Sequence, residues 1–204
     1  MEYAQSGGLP VSRFGLNRMK RISLKLTTRL DESTRWGEVK FDEAVEIILV
    51  HEGGYVFDAQ DSGGETRYGI SKRSFPKLDI KNLTKEKAKE LYRSCYWHSV
   101  RADRLPSSLR LMVFDCAVNQ GVSLASKILQ RVVGVQADGI IGPVTIGACH
   151  GISDMNLIDE YASMRLAHYQ NLPHWSRFGK GWSKRLLEVS LTCAFFAELP
   201  KELS

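Results

Sequence analysis

No stretch of the sequence approaches the roughly 18 to 20 consecutive apolar residues that a membrane-spanning helix requires. The N-terminus also lacks the apolar segment and small-residue cleavage site of a secretory signal. The expectation is a chain without a membrane span, synthesised in the cytoplasm without a signal peptide. Cysteine is scarce and scattered: Cys95, Cys116, Cys149 and Cys193 form no CxxC, and the five histidines show no zinc-finger spacing. Neither a metal nor a cofactor is expected, and the thiols read as buried and reduced. His51-Glu52 opens like the zinc-protease motif H-E-x-x-H, but Tyr55 stands where the second histidine belongs, and Gly53-Gly54 would end the helix between the ligands. No G-x-x-x-x-G-K-S/T phosphate loop and no G-x-S-x-G nucleophile elbow is present.

What the sequence has is an ordinary globular balance, 204 residues with 43% hydrophobic and 25% charged, enough to bury a core. Its net charge of +5 is concentrated at one end. Residues 1–40 hold eight Lys or Arg against four acids, and six of those cations lie between Arg13 and Leu30, interleaved with Phe14, Leu16, Met19, Ile22, Leu24 and Leu26. We read residues 1–40 as a basic extension, either a poorly ordered leader or a segment that attracts an anionic lipid, nucleic acid or wall polymer.

The body reads as mainly α, in an α+β arrangement. "FDEAVEIILVHE" places Phe41, Val45, Ile48 and Leu49 on one helical face with Asp42 and Glu43 in the first turn, and Gly53-Gly54 stop it. From Tyr55 to Ile70, turn residues interrupt short apolar pieces, which predicts a small hairpin or irregular lobe after this first helix. Helical patterns follow from about Thr84 to Tyr96, then over 107–119, 123–133, 143–149 with Pro143 in its first turn, 154–170 and 181–198.

The remaining chemistry lies in the carboxylates around "HEGGYVFDAQDSGGETRYGIS", residues 51–71. Glu52 ends an apolar helix, where partial burial and the negative helix terminus both disfavour its ionisation. A carboxylic acid kept protonated near neutral pH can protonate a glycosidic oxygen. Glycoside hydrolysis usually needs a second group, and Asp58, Asp61 and Glu65 follow within thirteen residues. Each also has a plainer role: Asp61 suits an Asx turn, Thr66 a turn, and Gly53, Gly54, Gly63, Gly64 and Gly69 tight backbone geometry. Tyr55, Tyr68, Tyr96 and Trp97 could line a saccharide groove or fill a core, and Trp175 and Trp182 flank "SRFGKG".

The strings Glu52-Gly53-Gly54-Tyr55 and Asp61-Ser62-Gly63-Gly64-Glu65-Thr66-Arg67-Tyr68-Gly69-Ile70 resemble the signatures of the glycosyl hydrolase 108 family of N-acetylmuramidases. "LYRSCYW", "VFDCAVNQG", "GVQADGIIGPVTIGAC" and "FGKGWSKR" resemble that family's later helices and its C-terminal predicted peptidoglycan-binding region. The resemblance implies a lysozyme-like catalytic region over 41–121 and a helical peptidoglycan-binding region over 122–200, packed into one globule. It places the catalytic glutamate on Glu52. The layout is also similar to phage-type lysozymes, so Asp61 and Thr66 are implied to position the attacking water, with inversion. Tyr55, Asp58, Tyr68, Tyr96 and Trp97 are the expected substrate contacts.

The implied partner is the glycan strand of peptidoglycan, cleaved at the β-1,4 bond between N-acetylmuramic acid and N-acetylglucosamine. The enzyme would act on the wall or in the periplasm after release through a holin or a dedicated export route. No nucleic acid partner is expected, and the protein is expected to be a monomer. The alternatives are a lytic transglycosylase, which uses one glutamate and leaves an anhydro end, and a non-catalytic peptidoglycan-binding protein.

Overall fold

The computed structural model describes residues 39–51, 56–57 and 65–198, all within one unit, Trp36–Ser204. The basic segment 1–38 and the candidate residues Glu52, Tyr55, Asp58 and Asp61 lie outside the described residues. Among the described residues the order is α1 (Phe41–His51), β1 (Val56–Phe57), β2 (Glu65–Arg67), β3 (Ile70–Ser71), α2 (Lys85–Tyr92), α3 (Ser107–Gln120), α4 (Val122–Val132), α5 (Pro143–Cys149), α6 (Asp154–Gln170) and α7 (Trp175–Glu198). A π-turn, Arg93–Trp97, continues α2, and a 3₁₀ turn spans Ala102–Arg104. The protein is mainly α with a small sheet, as its patterning predicts. No helix among the described residues is long and apolar enough to cross a membrane.

The helix starts follow ordinary capping chemistry. Glu43 Oε2 accepts from the Lys40 backbone N–H at 2.7 Å, Thr84 Oγ1 accepts from Lys87 N, and Ser153 Oγ accepts from Asn156 N. Pro143 opens α5, where its missing N–H costs nothing. The loop before it is tied to α4: Gln130 donates to Asp138 Oδ1 at 2.6 Å and to the Ile140 carbonyl at 3.1 Å, while its Oε1 accepts from Gly139 N. Gly139 adopts φ 88°, and a Cβ there would come within 3.0 Å of Ser123 Oγ.

Helix α3 is the central element, buried from Ser108 to Ala117 except at Arg110, and it packs against α1, α4, α6 and α7. The start of α1 is pinned to it: Ser107 Oγ accepts from Val39 N at 2.7 Å, and Arg110 Nη1 donates to the Val39 carbonyl. Phe41, Tyr92, Trp97 and Phe114 fill the space between α1, α2 and α3. A buried ionic group joins α3 to α6 and α7. The fully buried Asp115 carboxylate meets Arg165 of α6 at 2.7 Å and Arg185 of α7 at 2.9 Å, and Arg165 also donates to Gln120 Oε1 and to Tyr169 Oη. The two guanidiniums hold Asp115 below the usual carboxylate range, against the desolvation that acts in the opposite sense. Nε and Nη2 of Arg165 are thereby hydrogen-bonded and its Nη1 is ion-paired with Asp115, contacts that offset the cost of burying the charge.

Candidate active site

The described part of the candidate site is the small sheet and the π-turn that supports it. Strand β2 is central, antiparallel to β1 and β3, with Thr66 opposite Val56 on one side and Ser71 on the other. Thr66 is half-buried. Its hydroxyl, one donor and two acceptor lone pairs, sits on the most constrained strand of the lobe. Tyr68 and Gly69 join β2 to β3, and both take positive φ, 51° and 71°. A two-residue hairpin with φ positive at both positions is the type I′ geometry that matches strand twist, and tyrosine enters it at a steric cost.

Two contacts offset that cost. Tyr92 Oη donates to the Tyr68 carbonyl at 2.9 Å, and the Arg67 guanidinium lies 5.4 Å from the centre of the Tyr68 ring while also reaching the Lys81 carbonyl. Tyr92 is fully buried, so the hairpin is fastened to the aromatic core rather than to another loop. Sequence reasoning missed Tyr92; within "LYRSCYW" nothing distinguishes it from its neighbour Tyr96.

Tyr96 is half-buried, its ring 5.8 Å from that of Tyr92 on the π-turn. Such a turn re-aims side chains relative to a regular helix and is frequent at functional sites. Trp97 corrects an expectation. It is 0% exposed, with its ring 5.6 Å from Phe41 and 5.2 Å from Phe114, so it fills the core and lines no groove. The next helical face inward takes the larger ring because burying it removes more apolar surface from water. Thr66, Tyr68 and Tyr96 are therefore linked through Tyr92, while Trp97 stands behind them.

Charge near α1 is neutralised locally: Glu46 receives Lys85 at 2.8 Å and Lys89 at 2.7 Å, which lower its pKa despite partial burial. The four cysteines are free, three buried and Cys95 half-exposed. Burial pushes the Cys149 thiol up to about 11 and the Cys193 thiol up to about 12, which keeps both protonated and inert at neutral pH. Among the described residues no group of three or more His, Cys, Asp or Glu could hold a metal.

Comparison with known families and structures covers both halves of the chain. Residues 45–121 match the family described as Glycosyl hydrolase 108, and residues 124–187 match the family described as Predicted Peptidoglycan domain. The solved structure entitled "Structure of Brucella abortus SagA" is 36% identical, with a TM-score of 0.73, and the alignment covers 78% of this chain and 95% of that one. No curated protein matches the sequence. Asp115 lies in the first matched stretch and Arg165 and Arg185 in the second, so the buried ionic group ties the two together.

Proposed function

The chain belongs to the glycosyl hydrolase 108 family, a glycoside hydrolase acting on peptidoglycan, and from that premise we propose that it is an N-acetylmuramidase. The bond cleaved is the β-1,4 link between N-acetylmuramic acid and N-acetylglucosamine. Glu52 protonates the leaving oxygen as general acid, and Asp61 and Thr66 hold the water that attacks the opposite face of the sugar. The observation that carries this reading is the match over 45–121, which takes in both Glu52 and the Asp61–Ile70 string. In the chain Glu52 directly follows His51, the last residue of α1, and Thr66 occupies the central strand. The division of labour is thus between a residue that follows α1 in sequence and one on β2. Tyr55, Asp58, Tyr68 and Tyr96 contribute substrate contacts.

With water as nucleophile and no covalent intermediate, the anomeric configuration inverts. The work is done on the wall, reached through a holin or a dedicated export route. The test is mass spectrometry of the fragments released from purified peptidoglycan by the wild type and by Glu52→Gln. Reducing N-acetylmuramic acid ends from the wild type, with at least ~100-fold less release by the variant, are expected. Anhydro ends would move the protein to transglycosylases, and undiminished release by Glu52→Gln would remove that residue from the chemistry.

A further inference from the structure

The start of α7 carries two glycines inside a helix, in "WSRFGKGW", and one of them has no explanation in packing. Gly179 is buried, and a Cβ there would come within 2.7 Å of the Trp175 ring, so this glycine lets the indole lie flat across its own helix. Gly181 is exposed, and a Cβ there would meet nothing within 4 Å. A glycine weakens a helix interior, so bare backbone at an open position asks for another reason. Around it the aromatic rings form a layer. Trp182 stacks on the buried Tyr169 with centroids 5.3 Å apart and planes 27° apart, Phe178 lies 5.9 Å from Trp182 at 30°, and Trp175 lies 6.4 Å from it. Phe178 is 43% exposed, and Trp175 and Trp182 are half-buried.

At 100° per residue, Trp175, Phe178 and Trp182 share one face of α7, and Arg177, Lys180 and Lys184 form an adjoining stripe with Gly181 between the two. All three cations are exposed, and no acid occurs between Trp175 and Leu187. The Arg177 guanidinium lies 5.0 Å from the Phe178 ring centre. Flat rings cover the apolar faces of sugars, and the adjacent cations suit carboxylates a few ångströms away.

We propose that this face is a glycan-binding platform, on which a peptidoglycan strand lies over Phe178, Trp182 and the Gly181 backbone with its carboxylates toward Arg177, Lys180 and Lys184. The proposal rests on peptidoglycan being the substrate and adds where the strand is held, on a helix separate from the hairpin of the candidate active site.

The test is retention of the full chain on purified peptidoglycan sacculi, comparing the wild type with Gly181→Leu and with Gly147→Leu. Gly147 is an exposed glycine of α5 with the same open surroundings, so it receives the same substitution away from the platform. Leucine is the better helix former at both sites, and thermal unfolding should show neither variant less stable than the wild type. Gly181→Leu is expected to bind sacculi at least tenfold more weakly, with Gly147→Leu within twofold of the wild type, and Phe178→Ala is expected to follow Gly181→Leu. A Gly181→Leu protein that binds within twofold of the wild type would overturn the platform. So would equal losses in both glycine variants, no retention of the wild type, or tighter wild-type binding to phosphatidylglycerol vesicles than to sacculi. Fragment release is scored separately: a wild type that is retained yet releases no soluble fragments counts against the muramidase reading and leaves the platform standing.

Discussion

Two aromatic groups, one where α1, α2 and α3 meet and one on α6 and α7, differ in how their rings meet. Phe41, Tyr92, Trp97 and Phe114 meet largely edge to face, with interplanar angles of 75° for Phe41–Trp97, 87° for Tyr92–Phe114 and 89° for Trp97–Phe114. Tyr169, Trp182 and Phe178 meet nearly face to face, at 27° and 30°. The edge-to-face rings of the first group interlock within the core, whereas the second forms a layer that runs from the buried Tyr169 to the exposed Phe178. The first group is sealed on all sides, and the second borders solvent and three cations. Similar residues thus serve packing in one half of the chain and a surface in the other.

The largest effect expected from that contrast is in the sealed group. Trp97→Ala should cost about 4 kcal/mol of unfolding free energy, since it opens a cavity among rings that cannot collapse inward. Urea unfolding of the two proteins measures it. A loss under about 1 kcal/mol would mean that Trp97 is not core, and would return it to the expected substrate contacts.

Nearly as large is the effect at the seam between the two groups. Asp115→Asn leaves Arg165 buried beside a neutral amide, which should cost about 3 kcal/mol at neutral pH. The sign with pH follows from the depressed pKa of Asp115 in the folded state. Its contribution is fully present above the unfolded aspartate value of about 3.9 and is lost as pH falls through the lower folded value. The wild type and Asp115→Asn should therefore converge in stability only under strongly acidic conditions. A gap that is constant from neutral pH to below pH ~2 would show that the carboxylate charge is not what holds Arg165 and Arg185.

These two residues also mark what could and could not be read from the sequence. The helices over 143–149 and 154–170 have the expected bounds, because Pro143 and the Ser153 cap fix their starts. Helix α7 begins at Trp175 rather than near 181: the Trp175 ring packs over Gly179 and supplies the contact a side chain would have made. For Trp97 the sequence allows groove or core alike, because an aromatic residue's neighbours in sequence do not tell which side of a helix it faces. The ionic group left a trace, an aspartate inside the apolar run "LMVFDCAV", but its partners lie 50 and 70 residues away, and only the packing of α6 and α7 on α3 brings them together. The hairpin after α1 was legible from its turn residues. Its attachment through Tyr92 was not, because a tyrosine hydroxyl bound to a distant carbonyl leaves no periodic signal.

That attachment gives a smaller, local effect. Tyr92→Phe removes the hydrogen bond to the Tyr68 carbonyl but keeps the ring, and should cost about 1 kcal/mol. Because Tyr68 is held at positive φ, the loss should concentrate in the hairpin: amide hydrogen exchange over Thr66–Ile70 should quicken while that of α3 shifts only with global stability. Uniform acceleration across both would mean that Tyr92 supports the core and not the lobe.

The smallest stability effect belongs to the open aromatic layer. Phe178 is 43% exposed and lies at the outer edge of its stack, so Phe178→Ala removes about half a side chain from a surface already in contact with water. The expected cost is below about 1 kcal/mol, partly offset by alanine's higher helix propensity. Set beside the cost at Trp97, this difference separates a ring retained for folding from one retained for what touches it. If Phe178→Ala unfolds as readily as Trp97→Ala, the layer is a second core and its flatness has no bearing on binding. If it unfolds like the wild type while its hold on sacculi weakens, the free energy withheld from folding is available for the substrate.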